Sequence, residues 1–310
     1  MQGLTLKQLR SLQAVVETGS MTEAAARQLL SPPAIHSQIR KLEDIVGSQL
    51  LDKDAGAQCF VATPPGKVLI EAAERIGAIL AWARDNLDAL ETGKSGHVRI
   101  GFESTGRYFA PRLAKRLREI CPSIDVSFDV ANRSRIIESF SKEQIDLAVM
   151  GRPPRKLQNE ATPIAPHPYA LVVAPDNPLA RDTNYDPESL LEHTILAREP
   201  GSGTRVILNR FLDQIEGYGA PEIVELDSNE TIKESVMAGL GVAMLSLHVV
   251  QRELVGGRLV TLDWPRLPIM RYWYLVSRHS DALPESTARV RQAILDENGA
   301  YITAEPPART

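Results

Sequence analysis

The sequence predicts an α/β protein with a small N-terminal helical domain, one long helix and a larger C-terminal domain. Three observations lead to this prediction. Pro32 and Pro33 separate two stretches of helical pattern, and residues 67–92 repeat apolar side chains at near-heptad spacing. Beyond residue 96, strand patterns alternate with helical patterns, which is typical of an open, mostly parallel sheet with helices on its faces. The predicted domains are residues 1–66, 67–95 and 96–310.

The N-terminal domain begins with a predicted helix over residues 6–17. A second short helix ends before the double proline and a third begins there, because proline is tolerated in the first turn of a helix but not in its interior. Ser31 is placed as the N-cap of the third helix, with its hydroxyl accepting a backbone N–H. Downstream, Ile35, Ile39 and Leu42 form one apolar stripe.

The opposite face of the third helix is polar and carries Pro33, His36, Ser37 and Arg40. If the second and third helices form a helix-turn-helix, this face can lie in the major groove of DNA. An ordinary helical hairpin with a solvated face explains the same spacing. Residues 47–66 then predict two short strands around a glycine-containing turn, which is the wing of a winged helix-turn-helix.

Composition and charge narrow the class of protein. The 310 residues suit two or three domains, and the formal charge of -4 with a pI near 5.9 gives no support to general polyanion binding. Residues 1–67 carry seven Lys and Arg against six Asp and Glu, a weak basic balance for a DNA-binding domain. Cys59 and Cys121 lie in unrelated segments, so neither a disulfide framework nor a metal site is expected. Without a signal peptide or a membrane-length apolar segment, we expect a soluble, cytoplasmic protein.

The predicted long helix covers residues 67–92 and is about 38 Å long at 1.5 Å per residue. Its apolar stripe consists of Leu69, Ala72, Ile76, Ile79, Ala83, Leu87 and Leu90. Because the helix is too long for the small N-terminal domain to cover, we expect the stripe to pair with a second copy of the chain. Packing against its own chain is the alternative. Residues 92–96 are predicted to be a flexible boundary.

The C-terminal domain is predicted to have two lobes with a ligand cleft between them. Strand patterns cover residues 97–102, 124–130, 145–151, 169–175, 241–245 and 272–277, and helical patterns cover 108–122, 135–142, 204–214 and 230–238. Proline-rich stretches near 163–168 and 265–268 divide this region. Lobe I is then about 96–165 and 269–310, and lobe II about 166–268.

Small polar and cationic residues follow several of the predicted strands. The candidate ligand-binding residues are Ser104, Thr105, Asn132, Arg152, Arg198, Ser202, Thr204, Arg205 and Asn229. Open α/β sheets bind ligands at the carboxyl ends of their strands, and a helix N-terminus beside arginines favours an anion. The alternative is that each loop only caps its own helix.

A catalytic motif is not found in the sequence. The segment 199–205 lacks the Lys of a phosphate-binding P-loop and the third Gly of a dinucleotide fingerprint, and Ser202 is not in a G-x-S-x-G context. The six histidines have no metal-ligand spacing. We therefore expect no enzyme activity, no metal and no resident cofactor.

The segment "MTEAAARQLLSPPAIHSQIRKLEDIVGSQLL" resembles the helix-turn-helix of LysR-type transcriptional regulators. The strings "YFAPRL", "LAVMGRPP", "REPGSGTR", "SNETIKESVMAGLGVAMLS" and "GRLVTLD" are similar to the CbbR group, which controls Calvin-cycle carbon-fixation genes. The resemblance implies a periplasmic-binding-protein-like effector domain and paired linker helices in a homodimer that assembles further into a homotetramer on double-stranded DNA. It implies an effector between the lobes, such as a phosphorylated sugar, a related acid or NADPH, that alters DNA bending and RNA polymerase recruitment.

The residues that the resemblance places on DNA are Pro32, Pro33, His36, Ser37 and Arg40, and the neighbouring Ser31 and Lys41 complete the predicted DNA-binding set. Arg40 is expected to contact a base or a phosphate, His36 to be an additional base reader and Lys41 to anchor the backbone. The family usually has Gln at the position of Pro32, Ser at that of His36 and Arg at that of Ser37, and its wing usually carries arginines that this chain lacks. A metabolite-binding module with weakened DNA binding, acting through protein partners, is therefore the alternative function.

Overall fold

A computed structural model describes residues 3–54, 59–91, 94–154, 159–181, 187–215, 221–279 and 283–302. The chain divides into two compact units, Met1–Arg84 and Asp85–Thr310, here called the N-terminal and C-terminal units. Within the described ranges, no helix is long and apolar enough to cross a membrane. The turn of the wing, 55–58, and residues 92 and 93 of the predicted boundary lie outside these ranges.

The N-terminal unit has the predicted winged helix-turn-helix fold. Its elements are α1 (Leu6–Thr18), α2 (Met21–Arg27), α3 (Pro32–Val46), β1 (Leu51–Lys53), β2 (Phe60–Ala62) and the first part of α4 (Pro64–Glu91). Strands β1 and β2 pair antiparallel as the wing. Apolar side chains of α1, α2 and α3 form the core together with Leu50 and with Leu69 of α4. This burial fixes which face of α3 remains exposed.

The two helices that begin with a double proline start differently. Ser31 is the N-cap of α3, as predicted, but its side chain accepts no capping hydrogen bond from a described residue. The reason is that Pro33 has no N–H and that the N–H of Ala34 donates to the Ser31 carbonyl instead, at 2.9 Å. At α4, Thr63 precedes Pro64 and its hydroxyl accepts from the N–H of Gly66 at 3.1 Å. The long helix therefore begins three residues earlier than predicted.

The C-terminal unit is a two-lobed α/β domain. Its strands are β3 (His97–Glu103), β4 (Asp125–Ala131), β5 (Leu147–Met150), β6 (Glu160–Val173), β7 (Ile195–Arg198), β8 (Ile223–Leu226), β9 (Ala243–Ser246), β10 (Val260–Thr261) and β11 (Ile269–Ser277). Its helices are α5 (Ala110–Ile120), α6 (Arg133–Ser141), α7 (Pro178–Arg181), α8 (Gly203–Leu212), α9 (Asn229–Met237), α10 (Leu247–Val255) and α11 (Glu285–Asp296), with 3-10 turns at Ser104–Tyr108 and Pro187–Glu192.

The prediction of a mostly parallel sheet was wrong. The large sheet has the order β10-β6-β11-β5-β3-β4, with β9 also paired to β6. Strand β3 is parallel to β4 and β5, whereas β11 is antiparallel to both β5 and β6, and β9 and β10 are antiparallel to β6. Strands β7 and β8 form a separate parallel pair. Hydrophobic periodicity identifies a strand but does not encode its direction, which is why the pattern misled.

The proline-rich stretch at 163–168 lies inside β6, where a break was expected. Over residues 160–168, β6 pairs only with β11 among the described strands. The N–H groups on its other edge have no strand to bond, so proline is tolerated there. From Tyr169 onward the same strand pairs with β9 and β10. Strand β6 therefore continues unbroken through the stretch that was expected to divide the region, and the lobe boundaries near 165 and 268 stay predictions.

Candidate functional site

The exposed face of α3 is the first candidate site. Ile35, Ile39 and Leu42 are buried, and the predicted DNA-facing residues are all exposed: Ser31, Pro32, Pro33, His36, Ser37, Arg40 and Lys41. The buried hydroxyl of Ser11 on α1 holds the three helices together. It donates to Oε1 of Gln38 on α3 at 2.5 Å, and its oxygen also lies 3.2 Å from Oε1 of Gln28, next to the end of α2.

The turn before α3 contains a residue that sequence reasoning missed. Leu29 has a φ of 56° and is 93% exposed. The N–H of Leu30 then donates to the carbonyl of Ala25 at 2.9 Å and closes the end of α2. A left-handed conformation is costly for a leucine, so this turn is strained where the chain passes from α2 to the exposed helix.

The apolar stripe of α4 divides into two parts. Leu69 is buried in the core of the N-terminal unit, so the beginning of the helix packs against its own chain, which was the alternative prediction. Farther along, Ile79, Leu87 and Leu90 are half or more exposed. The second part of the helix therefore presents apolar side chains that the described chain leaves uncovered.

A cavity of about 630 Å³ in the C-terminal unit is the second candidate site. Four arginines line it: Arg133 at the start of α6, Arg152 after β5, Arg210 of α8 and Arg271 of β11. Glu103 at the end of β3 is the one acidic residue that lines it within the described part of the chain. An excess of guanidinium groups over carboxylates favours an anionic ligand.

Five of the predicted ligand-binding residues meet in a narrow recess beside this cavity. They are Ser104, Thr105, Arg198, Ser202 and Thr204, and all but the half-buried Ser104 are buried. Asn229 is also buried and reaches this group through hydrogen bonds. Arg198 donates to Asn229 Oδ1 at 2.9 Å, and the Asn229 amide donates to the Thr105 hydroxyl at 3.2 Å. These contacts connect strand β7 and helix α9 with the turn after β3.

The guanidinium of Arg198 is already engaged by protein groups. Its Nε and one terminal nitrogen donate to the two carboxylate oxygens of Glu199, at 2.6 and 2.9 Å. A contact of Arg198 with a ligand anion, as predicted from the sequence, would have to replace this ion pair. The structure therefore favours a supporting role for this arginine beneath the cavity.

Three further predicted residues bond to neighbouring protein groups. Asn132 caps α6 by accepting from the N–H of Arg135 at 3.0 Å, and Ser104 donates to the carbonyl of Ala131 at 3.1 Å. Arg205 donates to the carbonyl of Arg198 at 3.0 Å. Asn132 therefore acts as a helix cap, which was the alternative prediction for these loops.

Sequence reasoning missed several residues that line the cavity. They are Glu103, Arg133, His167, Tyr169, Arg210 and Arg271. The signal for Glu103 was a carboxylate at the end of an otherwise buried strand. His167 lies in the proline-rich stretch that was taken for a break, and Arg210 and Arg271 carry no local signal because tertiary structure alone brings them together.

Burial dominates the electrostatics of Glu103. Its Oε2 accepts from the N–H of Gly151 at 3.0 Å, and Arg133 Nε lies 3.5 Å from its Oε1. The loss of hydration outweighs these two favourable contacts and raises the pKa of Glu103 to about 7. The carboxyl group can therefore act as a hydrogen-bond acceptor or donor near neutral pH.

An aromatic cluster forms the floor beside Glu103. The ring of His167 stacks on Trp273 with centroids 3.9 Å apart and an interplanar angle of 11°, and it lies 4.4 Å from the ring of Tyr169. Burial, with a smaller contribution from His248, lowers the pKa of His167 well below its ordinary value. The imidazole is therefore neutral, with one donor and one acceptor nitrogen.

The described residues provide no group of three or more His, Cys, Asp or Glu side chains that could hold a metal ion.

Comparison with known proteins identifies two matching family models. The model "Bacterial regulatory helix-turn-helix protein, lysR family" matches residues 6–67, and the model "LysR substrate binding domain" matches residues 91–299. The chain is 45% identical to the HTH-type transcriptional regulator CbbR of Cereibacter sphaeroides over 306 residues, covering 99% of each chain. It is 35% identical to the RuBisCO operon transcriptional regulator of Allochromatium vinosum, covering 95% of this chain and 96% of the relative.

A solved structure resembles the C-terminal unit. It is the regulatory domain of CcmR from Synechocystis PCC6803 in complex with 2-PG. The two are 29% identical with a TM-score of 0.59, and the match covers 66% of this chain and 96% of that one.

Proposed function

Because the chain belongs to the LysR family of transcriptional regulators, we propose that it controls carbon-fixation genes in response to a small anionic metabolite. The names of its relatives support the gene class, since CbbR and the regulator of a RuBisCO operon are similar over nearly the whole length. The cavity lined by four arginines and one carboxylate is the observation that supports an anionic ligand. It acts by binding rather than by turnover, and its DNA partner places it in the cytoplasm.

The exposed face of α3 is the proposed contact with duplex DNA. Arg40 is the main base or phosphate contact, His36 an additional reader and Lys41 a phosphate anchor. Pro32 cannot supply the base-reading amide that the family usually has at this position. Specificity therefore depends on fewer side chains than is usual in the family.

The proposed effector binds in the cavity of the C-terminal unit with its anionic group toward the arginines. The regulatory domain of the Synechocystis relative was solved with 2-PG, which supports a small ligand in this domain. A phosphorylated sugar, a related acid and NADPH each present an anionic group that guanidinium forks can bind. Ser104, Thr105, Arg152, Ser202 and Thr204 are the predicted residues nearest to such a ligand.

The second half of α4 is the proposed contact between copies of the chain. Its exposed side chains Ile79, Leu87 and Leu90 would be buried if two such helices paired. We propose a homodimer that assembles further into a homotetramer on promoter DNA, where bending governs the recruitment of RNA polymerase.

A second candidate function is a metabolite-binding module that acts through protein partners. The near balance of seven cations and six acids in residues 1–67 favours it. The two functions differ in their affinity for DNA. A fluorescence anisotropy titration of duplex DNA from upstream of the chain's own gene separates them.

Replacement of Arg40 tests the regulator function. Arg40→Ala should weaken binding to this duplex at least tenfold and reduce the slope of log affinity against log salt by about 1. The matched control is Arg118→Ala, which removes an exposed arginine of α5 outside the proposed DNA surface. Equal affinity of wild type and Arg40→Ala, or no binding by wild type, would favour the second candidate function.

A further inference from the structure

The recess beside the cavity is too small to hold a ligand. Its volume is about 10 Å³, against about 630 Å³ for the cavity, so it has room for at most one water molecule. Thr105, Ser202 and Thr204, which the sequence predicts to bind the ligand, line this recess and not the cavity. A ligand can reach these three hydroxyl groups only if the two sides of the recess move apart.

The two sides of the recess come from different parts of the C-terminal unit. One side is formed by the 3-10 turn Ser104–Tyr108, which follows β3 in predicted lobe I. The other side is formed by the end of β7 and the start of α8 in predicted lobe II. Helix α9 is joined to this second side, because the guanidinium of Arg198 on β7 donates to Asn229 Oδ1 at 2.9 Å. Movement of the turn away from α9 would therefore open the recess.

Three polar contacts fasten the turn to the start of α9. The Tyr108 hydroxyl donates to Glu230 Oε1 at 2.8 Å, and Arg107 Nη1 lies 3.2 Å from Glu230 Oε2. The Asn229 amide donates to the Thr105 hydroxyl at 3.2 Å. Both oxygens of the Glu230 carboxylate are thus bound to the turn. Arg107, Tyr108 and Glu230 are here called the clasp.

The clasp lies near the surface, where water can replace its bonds. The side chains of Arg107 and Glu230 are 46% and 40% exposed, so opening the clasp leaves no charge buried without a partner. Tyr108 is half-buried against apolar side chains of α9 and α10. Burial and the bond to Glu230 raise the pKa of its phenol, so the hydroxyl remains a donor. These contacts can therefore be broken and made again at a small cost in free energy.

We propose that the clasp holds the recess shut and thereby opposes binding of the effector. Arg107, Tyr108 and Glu230 are then positioning residues, because they connect the turn with α9 but line neither the cavity nor the recess. An effector that bonds the hydroxyl groups of the recess must first open the clasp. Its apparent affinity is reduced by the fraction of molecules in which the clasp is open. This inference rests on the proposed function, since it assumes an effector that binds in the cavity and extends into the recess.

Loss of the clasp should strengthen binding of the effector. Tyr108→Phe removes one hydroxyl and keeps the ring, and Glu230→Ala removes both contacts of the carboxylate. Each variant should bind the probe 3-phosphoglycerate about 3- to 10-fold more tightly than wild type, because each lost bond has the strength of an ordinary hydrogen bond. Isothermal titration calorimetry of the full chain measures this. The matched control Glu234→Ala, at an exposed carboxylate of the same helix, should leave the affinity unchanged.

The sign of the change separates the clasp from a structural role. A variant that only loosens the fold would bind the probe more weakly, and so would one that removes a direct contact with the probe. The double variant gives a further check. Once Glu230→Ala has removed the acceptor, the addition of Tyr108→Phe should change the affinity little.

Amide hydrogen exchange measures opening of the recess without a ligand. Exchange at residues 104–108 and 202–206 should be faster in Tyr108→Phe and Glu230→Ala than in wild type, while exchange in α11 should be unchanged. Faster exchange in α11 as well would indicate a general loss of stability and would count against the clasp.

The outcomes distinguish this inference from the proposed function. Weaker or unchanged affinity for the probe in the folded variants, or unchanged exchange at both segments, would overturn the clasp and leave the proposed function standing. No binding of the probe by wild type or by either variant would count against the anionic effector instead. The exchange measurement would then decide by itself whether the clasp closes the recess.

Discussion

Replacing Glu103 with Gln should change the stability of the C-terminal unit in a way that depends on pH. Relative to wild type, the variant should be more stable at pH 8 than it is at pH 4. Burial raises the pKa of Glu103 from 4.5 to about 7, so between these values the folded chain holds a proton that the unfolded chain has released. The wild type therefore loses stability as the pH rises through this window. The shift corresponds to about 3 kcal/mol when the loss is complete above pH 7.

The glutamine variant removes this titration without changing the size of the side chain. Its amide oxygen can still accept from the N–H of Gly151, so the contact that positions β5 is retained. The free energy of unfolding of Glu103→Gln minus that of the wild type should rise by about 3 kcal/mol between pH 4 and pH 8.

Urea unfolding followed by tryptophan fluorescence provides the measurement, since Trp264 and Trp273 are buried in this unit. Glu234→Gln, which removes an exposed carboxylate of α9, is the matched control and should show no such rise. A difference between Glu103→Gln and wild type that is independent of pH would refute the assignment of a raised pKa to this carboxyl group.

Three further predictions concern stability and assembly. Leu29→Gly should stabilise the helix-turn-helix by about 1 kcal/mol, because glycine adopts the left-handed conformation without strain and the exposed leucine side chain makes little contact. Amide exchange in α2 and α3 should therefore be slower in the variant, and faster exchange would contradict this prediction. Arg198→Ala should destabilise the C-terminal unit by about 3 kcal/mol in urea unfolding, because Asn229 and Glu199 lose a buried partner, and an unchanged midpoint would contradict this. Leu87→Asp should leave the chain folded but halve its mass in light scattering, because a charge in the proposed helix pair is unfavourable; an unchanged mass would exclude this face from the dimer.

Local patterns were sufficient to predict the N-terminal unit. The apolar stripe Ile35, Ile39 and Leu42 determines which face of α3 is buried, and the exposed face follows from it without tertiary information. The start of α4 was missed although the same signal was present, since Thr63 before two prolines repeats the arrangement at Ser31. The error arose because Pro64 and Pro65 were interpreted as the end of the second wing strand and not also as the first turn of the long helix.

The C-terminal unit was harder because its site depends on contacts between distant segments. The predicted polar loops do converge, as the bonds from Arg198 to Asn229 and on to Thr105 demonstrate. However, these residues bond mainly to one another. Of the arginines that line the cavity, Arg152 was predicted, whereas Arg133, Arg210 and Arg271 come from positions without a local pattern. Arg271 lies in a strand whose direction the sequence did not encode.

The most direct test of the central claim measures DNA and metabolite binding together. Labelled duplex DNA from upstream of the carbon-fixation genes is titrated with the full chain, with and without saturating 3-phosphoglycerate, and the titration is repeated with Arg271→Ala. We predict specific binding by wild type, a change in affinity or in the DNase I footprint with the metabolite, and loss of that change in Arg271→Ala while DNA binding persists. Wild-type protein that binds this DNA no better than unrelated duplex, with and without the metabolite, would contradict the account.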